Sequence, residues 1–240
     1  MNPIQKTARI AGALYVAGSI PGFFAIIYIP GKFIVDSNPT ATGATVLAHE
    51  TLFRVGIVCD LAQSVIFIFV AIALYRLLSE VNRTWAATMV ALALVGCAVM
   101  FANVLNNIAA LVLFRGGDFL TLIERPQLDT LGMFFIQLHE RGYTIAQIFW
   151  GLWLLPLGLL VVRSRFLPWI LGFWLVLACF AYLVLSLTAL LLPRYATTVS
   201  HIVSPVLFGE VAFMLWLLIK GVKVPLTTST DSDIVPSRAT

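Results

Sequence analysis

The chain has 240 residues, 60% of them hydrophobic and 11% charged, with a mean hydropathy of +0.99. Soluble domains carry roughly 25% charged residues, so this composition excludes a water-soluble globule. The net charge of +4 and pI of about 9.1 do not point to nucleic acid, because the basic residues cap apolar runs and form no patch.

The N-terminus, MNPIQKTAR, is short and basic. The apolar run after it covers about 20 residues, longer than a signal-peptide core and enough to cross ~30 Å of hydrocarbon, and reads as a retained first span. In chain order, six spans are expected at about 8–29, 51–78, 84–114, 143–162, 168–192 and 199–222. The second has a helical lead-in from Thr42 and the fourth one from Gln127. Pro21, Pro156 and Pro205 each remove a backbone hydrogen bond and should kink the first, fourth and sixth spans. Asn38-Pro39-Thr40 resembles a glycosylation sequon, but the central proline abolishes it. The Ser- and Thr-rich segment 224–240 is expected to be a disordered cytoplasmic tail, leaving 1–223 as one integral membrane domain.

Lysine and arginine set the orientation. Lys6, Arg9, Arg76, Arg83, Arg163, Arg165, Lys220 and Lys223 fall on one side. On the other, Lys32, Arg115, Arg125 and Arg194 alternate with Asp36, Asp118, Glu124 and Asp129. The first side is read as cytoplasmic. The expected fold is therefore all-α: a six-helix transmembrane bundle of three antiparallel hairpins, with both termini inside.

Six ionisable residues fall within or beside the apolar runs: Glu50, Arg54, Asp60, Glu140, Arg141 and Glu210. A charge near the bilayer centre costs at least ~2.5–3.5 kcal/mol without water or a partner, so such residues are where function is sought. Helical rise places Asp60 ~24 Å above Arg76, Gln147 ~22 Å above Val162, and Ser204 ~24 Å above Lys220. Asn103, Asn106 and Asn107 share a face in the outer half at i, i+3 and i+4 spacing. Glu210 stands apart, ~15 Å above Lys220 and near the middle of the core. Glu50 and Arg54 form a local i, i+4 pair, whereas neither Asp60 nor Glu210 has a basic residue one turn away in its own span.

This layering predicts an outward-facing polar vestibule lined by Asp60, Gln63, Asn103, Asn107, Glu140, Gln147, Ser204 and Glu210. The same residues also fit polar packing between helices. Trp150, Trp153, Trp169, Trp174, Tyr182 and Trp216 read as interfacial, lipid-facing or interhelical, and Trp85 and Trp169 fall near inner span ends. Cys59, Cys97 and Cys179 lie inside apolar runs and behave as small hydrophobes. His49, His139 and His201 each sit near the outer entrance of an even-numbered span. Their convergence would give a three-histidine zinc site, with Asp60 or Glu140 as base. No pair of them has i, i+4 ligand spacing, so no metal or other cofactor is assigned.

The blocks KTARIAGALY, ETLFRVGIV, QLHERGYTIAQIFWGLWLLPLGLLVVRS and FMLWLLIKGVK resemble the domain-of-unknown-function 4386 family of bacterial multi-pass membrane proteins. The resemblance covers about 6–223. It implies one helical domain in the bacterial inner membrane, and it brings no assigned activity or catalytic residues. Three functions stay open. One is binding or moving a small or amphiphilic molecule such as a lipid, in which case transport through six spans would call for a homo-oligomer. Another is metal-dependent hydrolysis by the histidines. The third is a structural or sensory role without chemistry. The bilayer itself is the one partner the composition demands.

Overall fold

The computed structural model describes residues 2–35 and 38–222; the 224–240 tail, Asp36 and Lys223 lie outside them. The described residues form helices and no strand, and six helices are long and apolar enough to cross a membrane.

The first span, Pro3–Phe33, is built from α1 (Pro3–Phe23), one π-helical turn (Phe24–Tyr28) and α2 (Ile29–Phe33). Asn2 caps α1 by accepting from the Ile4 N–H at 3.2 Å, and Pro3 opens the helix where no N–H is needed. The helix continues through Pro21 and widens into the π turn just after it.

The expected lead-in to the second span is a separate helix, α3 (Pro39–Ala48), capped by the Asn38 side chain accepting from the Ala41 N–H at 2.9 Å. His49 leaves helical geometry at φ −127° and ψ 38°, and α4 (Glu50–Leu78) starts afresh. Tertiary contacts explain the break. Thr42, Gly43 and Val46 are buried against α5 (Arg83–Arg115) and α6 (Arg125–Leu152), and the Thr42 hydroxyl meets the backbone N–H and carbonyl of Val35.

The fourth span begins earlier than its apolar run, at Arg125, and consists of α6 followed by α7 (Leu154–Arg163). The two part at Trp153. Pro156 lacks the N–H that would reach the Leu152 carbonyl, so the ladder breaks one turn ahead of the proline. The fifth span is α8 (Trp169–Leu191), and the sixth ends in α9 (Ala196–Ile219), which carries Pro205 inside an unbroken helix.

The spans pack as a ring in chain order. α1 lies on α4, α4 on α5, α5 on α6 and α7, these on α8, and α8 on α9, which returns to α1. Gln5 fastens the closing contact, donating to the Lys220 carbonyl at 2.9 Å and accepting from the Val222 N–H at 2.8 Å. Gly12 lets α1 and α9 touch: a Cβ there would meet the backbone of Leu217 and Leu218, with two of those atoms at 2.8 Å. Arg163 stands over the Trp85 ring at 5.7 Å, tying the start of α5 to the end of α7.

Two apolar cores fill the ring. The larger holds Leu74, Leu77, Leu78, Met89, Trp153, Leu157, Phe213 and Leu217. The smaller holds Ile29, Phe33, Phe53, Ile57, Val104, Phe114 and Ile136. Between them on α4 lie Asp60, Gln63 and Ser64, and on α5 Cys97, Met100 and Asn103, so the polar side chains occupy the gap. The outside is apolar, with Val58, Phe69, Leu105, Phe180, Phe208 and Ile219 exposed as a lipid-facing surface requires.

A candidate binding cavity and a buried carboxylate cluster

The gap between the cores contains a half-enclosed cavity of about 400 Å³, lined from all six spans. Tyr15, Gly18, Ser19 and Ile26 come from the first span, Gln63, Ser64 and Phe67 from α4, and Cys97 and Met100 from α5. Trp150 and Trp153 come from the fourth span, Tyr182 from α8, and Ser204, Phe208, Glu210 and Val211 from α9. Among the described lining residues Glu210 is the only charged side chain.

Glu210 has partners on two other spans. The Tyr15 hydroxyl donates to its Oε1, and the Tyr182 hydroxyl donates to its Oε2 at 3.2 Å. Both contacts are charge-assisted if the carboxyl is ionised, the form that only accepts. Tyr15 in turn packs on Phe67 and Trp153 with ring centroids 6.0 and 6.1 Å away, and these two rings meet edge-on at 4.7 Å. Trp153 is fully buried, and Trp150 lies against Tyr182. The tryptophans of the fourth span therefore wall an interior space.

Asp60 belongs to a second cluster, one turn along α4 from Gln63 and Ser64. The Tyr143 hydroxyl donates to Asp60 Oδ1 at 2.5 Å, and His139 Nε2 lies 3.2 Å from Oδ2. His139 Nε2 makes no hydrogen bond there, so the second contact is a close polar approach that becomes an ion pair when the imidazole is protonated. Asp60 and His139 are both buried. Asn103 Nδ2 donates to the His139 carbonyl at 2.9 Å, and Asn106 donates to Asn103 Oδ1 at 3.0 Å. Gly142 makes this possible, since a Cβ there would overlap the Asn103 amide.

The vestibule candidates thus divide. Gln63, Ser204 and Glu210 line the cavity. Asp60 and Asn103 are knitted into the buried cluster. Asn107 and Glu140 border a space of about 20 Å³ beside His139, room for one water molecule. Gln147 is half-buried and outside both linings. Glu50 pairs with Arg54 at 2.7 Å, as the spacing requires, and with Arg115 at 3.7 Å; Arg141 is exposed.

The histidines do not gather. His139 faces Asp60, whereas His49 and His201 are exposed, with His49 Nδ1 3.2 Å from the Thr45 carbonyl of the preceding α3. Among the described residues no group of three His, Cys, Asp or Glu side chains is arranged to hold a metal ion.

Tyr15, Tyr143 and Tyr182 were absent from the sequence-based candidates. Depth matching would have flagged Tyr15, which lies ~14 Å above Lys6, level with Glu210 on its own span. A tyrosine hydroxyl at that depth must find a polar partner.

An uncharacterized protein of Archaeoglobus fulgidus is 30% identical over 161 residues, covering 67% of this chain and 80% of that protein. No solved structure matches the chain. Residues 10–221 match the family described as "Domain of unknown function (DUF4386)", and the chain belongs to that family.

Proposed function

We propose that this membrane protein binds a small amphiphilic molecule in the cavity between its two cores and exchanges it with the surrounding bilayer. The observation that carries this reading is the cavity of about 400 Å³, within the range of small-molecule sites, with one carboxylate in an otherwise uncharged wall. Its border supports exchange with lipid. Ser19 and Ile26 on the first span and Phe208 and Val211 on α9 line the cavity and are also exposed on the apolar exterior. The outer half of α9 buries none of its side chains, since Gly209, Phe213 and Leu217 are the buried ones. The gap between α1 and α9 is thus a lateral mouth, closed below by the Gly12 contact.

In this reading both termini face the cytoplasm, because Lys6, Arg9, Arg76, Arg83, Arg163, Arg165 and Lys220 all belong to one end of the ring. The test is native mass spectrometry of the protein in lipid nanodiscs. Wild type should carry a small molecule that Ser204→Trp, which fills the cavity, loses while keeping its melting temperature. An adduct retained by that variant, or no adduct and no saturable binding in wild type, refutes the reading.

A further inference from the structure

We propose that the cavity is built for a lipophilic organic cation: a quaternary or protonated ammonium head carrying an apolar tail. This rests on the binding reading above and names its ligand class. Three observations converge.

The first is charge. No lysine, arginine or histidine is among the described lining residues, and Glu210 is the one acidic side chain. Two tyrosine hydroxyls reach its two oxygens, a pair of donors available to the carboxylate when it is ionised. Each oxygen accepts one of these bonds and keeps a lone pair. An anionic head would meet repulsion in this wall, and a cation completes it.

The second is the aromatic wall. Tyr15, Phe67, Trp150, Trp153, Tyr182 and Phe208 all line the same space. Three of their contacts are steep, 73° between Tyr15 and Phe67, 73° between Phe67 and Trp153 and 78° between Trp150 and Tyr182, and Tyr15 and Trp153 are tilted at 57°. Rings set edge-to-face turn their π-faces in several directions. Aromatic rings clustered around one space, with a carboxyl group beside them, are the chemistry that recognises quaternary ammonium groups.

The third is access. Glu210 lies ~15 Å from the inner end of α9, near the middle of a ~30 Å core. A hydrated ion does not reach that depth through lipid, whereas a cation with an apolar tail partitions there and enters between α1 and α9. The exposed rim residues Ile26, Phe208 and Val211 offer the tail an apolar exit.

The test uses full-length protein in phosphatidylcholine nanodiscs at mildly alkaline pH, with two probes. Dodecyltrimethylammonium is the cation. Dodecyldimethylamine oxide has the same chain and nitrogen but no net charge. Binding is read from the fluorescence of the cavity tryptophans. Wild type should prefer the cation by about tenfold or more, as expected for a desolvated cation–π site with a carboxylate. Glu210→Gln should reduce the preference to within about threefold, while an amide oxygen still accepts from tyrosine.

Equal binding of both probes by wild type overturns the cation proposal and leaves the binding reading standing. No saturable binding of either probe, together with an empty native mass spectrum, overturns both. The wild-type comparison needs no variant, so a folding defect in Glu210→Gln cannot mask the result.

Discussion

Replacing Tyr143 by Phe removes one hydroxyl from Asp60 and leaves the ring in place. Neutral side-chain hydrogen bonds between membrane helices average only about 0.6 kcal/mol. Here the donor sits 2.5 Å from the carboxyl oxygen of a side chain about 2% exposed, and a hydrogen bond to a charged group contributes about 1.5–3 kcal/mol. Tyr143→Phe should therefore lower the free energy of unfolding by about 1.5–3 kcal/mol. His139→Leu should cost more, about 3–5 kcal/mol, because it strips the remaining polar neighbour from a buried carboxyl group. The double variant should fall short of the sum by about 0.5–3 kcal/mol, since both residues act on one carboxyl group. The assay is reversible unfolding in mixed micelles titrated with sodium dodecyl sulfate, followed by tryptophan fluorescence and helical circular dichroism. A Tyr143→Phe variant within about 0.6 kcal/mol of wild type, or strictly additive losses, would show that Asp60 is not held as described.

Other outcomes follow from the packing. Gly12→Ala should destabilise by about 1–3 kcal/mol in the same assay, because rigid backbone of α9 occupies the site of the new methyl; Gly31→Ala, with nothing within 4 Å, should change stability little. Gln5→Ala should cost about 1–3 kcal/mol through its two backbone hydrogen bonds at the α9 terminus, and should raise amide hydrogen exchange at Val222. Glu50→Gln should cost no more than about 0.5 kcal/mol, because its Arg54 pair is exposed at a helix start, and added salt should erase the difference.

Apolar run length and basic ends made the six spans legible, since a bilayer imposes both directly on the sequence. Boundaries were less legible where tertiary contacts decide them. Nothing local forces His49 out of the helix; burial of Thr42 and Val46 against other spans does. Glu210 and Asp60 were visible as anomalies because a carboxyl group in an apolar run is costly wherever it lies. Their partners were invisible to a search along each helix, because Tyr15, Tyr182 and Tyr143 arrive from other spans. The same limit separated the histidines: similar height on three helices says nothing of the direction each ring takes around its axis. Spacing pointed to a polar vestibule, and Gln63, Ser204 and Glu210 of that set line the cavity, but its aromatic wall was not legible. The cavity is the space left between two cores whose apolar stretches on α4 and α5 stop short of one another.

The grip of two tyrosines on Glu210 also bears on biogenesis. During synthesis the first and fifth spans enter the bilayer before the sixth, each bringing a hydroxyl that has no carboxylate to meet. The sixth then inserts with a glutamate at its centre, a passage that costs about 2.5–3.5 kcal/mol for a charged side chain and is offset by its hydropathy of 2.2. The apolar anchorage of α9 lies in its second half, at Phe213 and Leu217. The Tyr15 and Tyr182 contacts give the Glu210 carboxyl group polar partners from the first and fifth spans, so the residue that makes the last insertion step hardest is also one that ties the sixth span to its neighbours.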